Sequence, residues 1–142
     1  MKAYGWIGFT LLLFVFLTIF TMSFQEVSIA DSDNETSVEN ASRNAMTVAV
    51  NLGNARVNEE VTINEDIAVE SVVRQYADSA DFYNGDRYLN VYQVSSNPPM
   101  LAVESYTQLE SPFLGITNPS GQNDVETRSR EIIIYEAKKL IK

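Results

Sequence analysis

Trp6-Ile-Gly-Phe-Thr-Leu-Leu-Leu-Phe-Val-Phe-Leu-Thr-Ile-Phe-Thr-Met-Ser-Phe24 carries no charged residue, and the uncharged run extends back to Ala3. At a helical rise of about 1.5 Å per residue it reaches about 30 Å, the thickness of a bilayer's hydrocarbon core. This stretch predicts a transmembrane anchor over residues 1–24 and one extracytoplasmic domain over 25–142. The remainder is long enough for a single modest core. All 19 acidic residues follow Phe24, and Lys2 is the sole basic residue before the run. The positive-inside tendency then places the N-terminus in the cytoplasm and the C-terminal domain outside, in a single-pass cell-membrane protein.

The Ser28-Ile29-Ala30 triplet has the small-x-small form of a signal-peptidase site, so a secreted domain released after Ala30 competes with the anchor. The apolar run exceeds the usual h-region, and Lys2 makes a sparse n-region. The helical pattern also continues through the triplet, and these features favour retention. Gly5 and Gly8 suggest prepilin-type cleavage, but the fifth positions after them are Thr10 and Leu13 instead of glutamate.

The net charge is -9. An acidic chain of this kind offers no clustered Lys and Arg to displace counterions, which argues against nucleic acid as a partner. It also argues against spreading on anionic lipid heads. The chain has no cysteine and no histidine. Disulfides, thiolate or imidazole metal ligands, a histidine base and any Ser-His-Asp or Cys-His arrangement are therefore closed to it. A lipoprotein is excluded too, since no Cys follows the apolar run.

No Gly or Pro interrupts the chain from Phe9 to Leu52. Val27, Ala30, Asn34, Val38, Ala41, Ala45, Val48 and Leu52 recur at three- and four-residue steps, which predicts an amphipathic continuation of the same helix. Gly53-Asn54 reads as its C-cap. Ala41, Ala45 and Val48 are expected to hold the domain on this stalk. A second helix is predicted from Asn64, a good N-cap, with Glu65 and Asp66 in its first turn and Ile67, Val69, Val72, Val73 and Tyr76 on its apolar face. It fades from Ser79 towards the turn Asn84-Gly85-Asp86.

Three strands follow. Tyr88–Val94 is rich in aromatic and β-branched residues. Met100–Leu109 alternates, with Leu101, Val103 and Leu109 on one face and Glu104 and Gln108 on the other. Ser129–Glu136 closes the set, with Ile132 or Ile134 expected in the core and Glu131 and Glu136 outside it. A polar loop, Thr117 to Asp124, precedes this strand. The order predicts an α+β class: a long N-terminal helix, a second helix, then a three-stranded antiparallel sheet.

The remaining polar clusters make poor candidate sites. The acidic pairs Glu59-Glu60 and Glu65-Asp66 are neighbours in sequence and poorly placed to flank one bond. A Ser-Lys pair finds lysines only at Lys138, Lys139 and Lys142. Asp31-Ser-Asp33-Asn-Glu35 opens like a calcium loop, but Thr36 and Ser42 stand where the loop needs Gly and Glu. Asn34 and Asn40 begin glycosylation sequons. Tyr76, Tyr83, Tyr88, Tyr92, Tyr106 and Tyr135 read as strand packing more readily than as an interaction surface. No catalytic, cofactor or metal residue is assigned.

These pieces together resemble the TadE/TadG-like pseudopilins, minor components of tight-adherence (Flp-type) pilus systems. The resemblance rests on the membrane helix running into Val38-Glu-Asn-Ala-Ser-Arg-Asn-Ala-Met-Thr-Val-Ala-Val50, on a second helix from Asn64 to Tyr76, and on Pro99–Ser105, Pro112–Ile116 and Val125–Arg130 in that order. It implies a pilin-like fold and a non-enzymatic, structural role in pilus assembly. The implied partners are membrane lipid, other pilins or pseudopilins and the assembly-platform proteins. The alternatives are an anchored accessory subunit of a secretion or conjugation apparatus and the secreted binding module.

Overall fold

In the computed structural model the apolar run and the amphipathic stripe form one helix, α1, Lys2–Ala49. The structure describes residues 2–80, 85–111, 113 and 124–135. Glu136, Tyr83, the three C-terminal lysines, Thr117 to Asn123 and the Pro112–Ile116 turn apart from Phe113 lie outside those residues.

The second half of α1 buries Ala30, Asn34, Val38, Ala41, Ala45, Met46 and Ala49. Residues 34, 38, 41, 45 and 49 keep one helical phase, as expected up to Ala45. Val48 and Leu52 depart from the expected stripe and are exposed. Val48 sits about 100° around the helix from Ala49, and Leu52 belongs to a different element. The helix stops before the expected Gly53-Asn54 cap because the backbone turns to pair with the chain ahead of the next long helix. Asn51 N–H donates to the Thr62 carbonyl (2.8 Å) and Asn64 N–H to that of Ala49 (2.9 Å), with a bridge between Val50 and Ile63. A short helix absent from the sequence reading follows, α2, Leu52–Asn58. Its N-cap is Asn51, whose side chain accepts from Asn54 N–H at 3.1 Å.

Helix α3, Glu65–Ser79, starts at Asn64 as predicted, with Asn64 Oδ1 accepting from Ile67 N–H at 3.2 Å. Its buried line is Ala68, Val72 and Tyr76, one residue per turn. Ile67, Val69 and Val73 of the expected face are instead substantially exposed. The small Ala68 lets α3 lie close against α1, and that contact fixes the rotation of the helix.

Strands β1, Asp86–Ser96, β2, Pro99–Glu110, and β3, Asp124–Ile134, form an antiparallel sheet in the order β1-β2-β3. The chain is thus an α+β structure of the layout read from sequence. Gly85, before β1, has φ 91°, and a Cβ there would collide with the Gln108 carbonyl oxygen, so the position demands glycine.

One sheet face packs on the helices through Leu101, Val103, Leu109 and the partly buried Leu89, Val91, Val94 and Ile133. The expectation for β3 is corrected here. Ile133 pairs with Leu101 on the core side, while Ile132 and Ile134 point outward and are 65% and 52% exposed. Glu131 lies on the core side, opposite Val103, at the partly covered edge. Three consecutive isoleucines carry no alternation, so only the pairing with β2 sets the register. Glu104 occupies the outer face as expected, yet it is buried there by its neighbours.

Candidate functional site

Two polar constellations stand out, one inside the domain and one on the outer face of the sheet. The inner one joins all three layers. Asn34 of α1 donates from Nδ2 to the Ser105 carbonyl of β2 (3.2 Å) and accepts at Oδ1 from the Tyr76 hydroxyl of α3 (3.0 Å). The Tyr76 and Ser105 hydroxyls lie 2.8 Å apart, and Ser105 Oγ also contacts Asn34 Oδ1. All three residues are buried. Beside them Arg87 of β1 pairs with Asp33 of α1 at 2.6 Å. Ser37 donates to the Ser79 carbonyl at the end of α3 (3.1 Å). A satisfied buried network of this kind fixes register between elements, and a half-satisfied one destabilises. Its sequence signal was the Asn34 break in an otherwise apolar stripe.

Several sequence candidates lie in or beside this network. Asp33, the middle of the calcium-like run, is bonded to Arg87 within a continuous helix. Among the described residues no group of three His, Cys, Asp or Glu side chains is arranged to hold a metal ion. Asn34 of the first sequon is buried in the network, whereas Asn40 of the second is exposed. The acidic pairs are separated by their roles. Glu60 accepts from Asn97 Nδ2 (2.5 Å), and Glu65 accepts from Ser96 N–H (3.0 Å), so both brace the β1–β2 turn. Glu59 is the left-handed C-cap of α2.

The outer face is built by strand alternation. Pairing places Tyr88, Tyr106 and Arg128 in one row across the sheet, and Asn90, Glu104 and Arg130 in the next. Tyr88 and Tyr106 stack at 4.6 Å with planes 14° apart, and the Arg128 guanidinium lies 5.9 Å from the Tyr106 ring centre. Alternation keeps Tyr92 on this face, at the bulge between Val91 and Gln93, and its hydroxyl donates to Glu104. Arg130 Nε donates to the same carboxylate at 2.5 Å, and Arg128 Nη2 pairs with Glu126 at 2.5 Å. Further along the face, Ile132 and Ile134 are exposed.

Three groups on this face titrate away from their ordinary values. The Tyr92 hydroxyl bond, followed by the Arg130 bond, holds the Glu104 carboxyl below the usual carboxylate range. Glu104 is thus an ionised acceptor at neutral pH and a poor general acid. The same bond first, with burial second, pushes the Tyr92 phenol up, so its hydroxyl keeps its proton. Arg128 is raised chiefly by its bond to Glu126. The result is an aromatic and charged surface whose carboxylate is ionised and whose phenol is protonated at neutral pH. The preferred sequence reading, tyrosines as half-buried strand packing, fits Tyr106 on β2, whereas Tyr76 is buried on a helix, α3. Tyr88 and Tyr92 instead fit the surface reading. The period-2 spacing of Tyr88 with Asn90 and Tyr92, Glu104 with Tyr106, and Arg128 with Arg130 carried that signal.

The chain matches the family described as a domain of unknown function (DUF5411) over residues 1–137, and it belongs to that family. No curated protein and no solved structure matches it significantly.

Proposed function

We propose that this protein is a membrane-anchored, non-enzymatic subunit of a pilin-like surface assembly, of the tight-adherence pseudopilin kind. It is held through residues 1–24, with residues 25–142 outside the cell. The single observation that carries this reading is the continuity of α1. Its first half exposes large apolar side chains from Tyr4 to Phe24, and its second half is the central core element of the head. Soluble monomers rarely leave so large a contiguous apolar surface in water. A lipid environment satisfies it, and so does a bundle of partner helices.

Two further features support the anchor. α1 is long and apolar enough to cross a membrane, by length and composition, as a signal sequence near an N-terminus also is. The hydroxyls of Thr10, Thr18 and Thr21 donate to the carbonyls of Trp6, Phe14 and Leu17 one turn back, at 2.7–2.9 Å, so none needs a water partner in hydrocarbon. Retention is favoured over cleavage after Ala30, because Ala30 is fully buried in mid-helix. The layout of one helix serving as both stalk and core suits a subunit that leaves lipid for a helix bundle.

N-terminal sequencing of the mature protein tests the anchor: Met1 is expected, Trp6 or Phe9 would indicate pilin-type processing, and Asp31 would refute retention. Gene deletion tests the role in assembly. Loss of surface filaments or adhesion is expected. Normal filaments and adhesion, together with hydrolytic activity of the purified chain, would overturn the proposal.

A further inference from the structure

The ring of Phe113, just past the end of β2, packs edge-to-face against two rings of the apolar half of α1. It lies 5.6 Å from Phe16 and 5.2 Å from Phe20. Phe20 and Phe16 lie four and eight residues before Phe24, so they sit about 6 and 12 Å below the end of the apolar run. Against a hydrocarbon half-thickness of about 15 Å, Phe113 belongs to the same depth. The sheet end explains how it gets there. Gln108 to Ser111, at the close of β2, and Asp124, at the opening of β3, line one cavity with Ser23, Glu26 and Val27 of α1. The β2–β3 connection therefore leaves and rejoins the sheet at the level where the apolar run ends.

Its composition changes at the same points. Glu110 and Asp124 flank the connection, and residues 111–123, Ser-Pro-Phe-Leu-Gly-Ile-Thr-Asn-Pro-Ser-Gly-Gln-Asn, carry no formal charge. Residues 88–103 are uncharged too, but they lie within the strands and turn of β1 and β2, so it is depth together with composition that singles out Phe113. An aromatic residue set at membrane depth, inside an uncharged segment bounded by carboxylates, is the pattern of an interfacial anchor.

We infer that Phe113 is a second membrane contact, seated among lipid acyl chains of the outer leaflet beside α1. This rests on the anchored reading above. It adds a constraint that one helix lacks, because two contacts fix the tilt and rotation of the head relative to the membrane plane. The outer sheet face is thereby held at a set orientation. The recognised ligand is the acyl region of a phospholipid. The carboxylates Glu26, Asp86, Glu110 and Asp124 around the cavity disfavour an anionic headgroup at that level.

The test exploits the single tryptophan, Trp6. In a Trp6→Phe background, three full-length variants carry one tryptophan each: Phe113→Trp, Leu12→Trp and Tyr92→Trp. Each is reconstituted into phosphatidylcholine vesicles brominated either near the ester end or near the methyl end of the acyl chain. Position 113 is expected to show blue-shifted emission and strong loss of fluorescence with the ester-end bromines. Position 12 is expected to be quenched most by the methyl-end bromines, and position 92 not at all. Quenching at 12 without quenching at 113 overturns this inference and leaves the anchor standing. No quenching at 12 refutes the anchor, and the inference falls with it. Unmodified protein provides a check that needs no variant: photolysis with a diazirine phosphatidylcholine should leave adducts at Phe113. Adducts confined to residues 4–24 would overturn the inference.

Discussion

Between Tyr4 and Phe24, α1 turns Trp6, Phe9, Leu12, Phe14 and Phe24 outward at 60% exposure or more; between Ala30 and Ala49 it buries Ala30, Val38, Ala41, Ala45 and Ala49 to 2% or less. Both stretches are helical; the first is apolar all round and the second on one stripe only, and their apolar side chains differ in size. Large residues all round the first half demand surroundings that the chain itself does not supply. Small residues on one stripe of the second half let α3 and the sheet approach the helix backbone closely. Apolarity therefore marks where a helix must leave water, and size marks whether the chain already holds the partner.

The largest expected effect breaks the first half. Leu13→Arg with Val15→Arg places two charges at the centre of the apolar run, costing about 2.5–3.5 kcal/mol each on the insertion scale. The protein should shift from the membrane fraction to the soluble fraction or be degraded. Full retention in the membrane fraction would mean that the first half answers to something other than lipid.

The second half should respond to charge in a position-dependent way. Ala45 is fully buried, so Ala45→Glu forces an unpaired carboxylate into the core and should cost about 3–5 kcal/mol or prevent accumulation. Val48, three residues on, is exposed, and Val48→Glu should change stability by about 0.5 kcal/mol or less. Denaturant midpoints of the two variants decide the matter. Equal losses would show that the helix rotation described for α1 is wrong.

That pair also shows where sequence reasoning stopped. The stripe from Ala30 to Ala45 was legible because each step was a single helical turn with no breaker. Val48 fitted the same spacing, and only the turn of the chain at Val50–Asn51 shows that the buried phase runs through Ala49. A side chain that could cap α2, Asn51, was present in the sequence but unweighted beside Gly53. In β3 the Ile132–Ile134 run hid the parity, although Val125, Thr127 and Ser129 alternating with Glu126, Arg128 and Arg130 displayed it. The burial of Glu104 was not legible, because its cover comes from Tyr92 and the two arginines of β3, and their proximity depends on a bulge and a register. The depth of Phe113 was equally hidden, since it needs the sheet end placed against Ser23.

A smaller effect sharpens the joint within the second half. Asn34→Ala removes three hydrogen bonds from the Tyr76–Ser105 junction while leaving those hydroxyls 2.8 Å apart. The loss should be about 1–3 kcal/mol, the cost of buried groups left partly unsatisfied. Tyr76→Phe should be milder, because it removes one hydroxyl and leaves the Asn34 amide bonded to the Ser105 carbonyl. If Asn34→Ala is neutral, the α1–α3–β2 junction is held by packing alone.

The smallest expected effect concerns the outer sheet face, which lies outside the core like the first half of α1 but is satisfied by charge. Glu104 titrates below its ordinary value because of Tyr92 and then Arg130, so its contribution to stability is complete above the unfolded carboxylate pKa of about 4.3 and is lost as pH falls through the lower folded value. Tyr92 is raised by the same bond, so its contribution is complete below about pH 10 and is lost as pH rises through the folded value. The bond thus stabilises the fold between those limits. Arg128 and Arg130 are more than half exposed, which keeps the effect a change in the shape of the curve more than in its height. Glu104→Gln should flatten the acid limb of the denaturant midpoint against pH, and Tyr92→Phe should flatten the alkaline limb. Acid limbs that run parallel in wild type and Glu104→Gln would show that Glu104 is an ordinary surface carboxylate, and the outer face would then lack the fixed charge that distinguishes it from the lipid-length half of the helix.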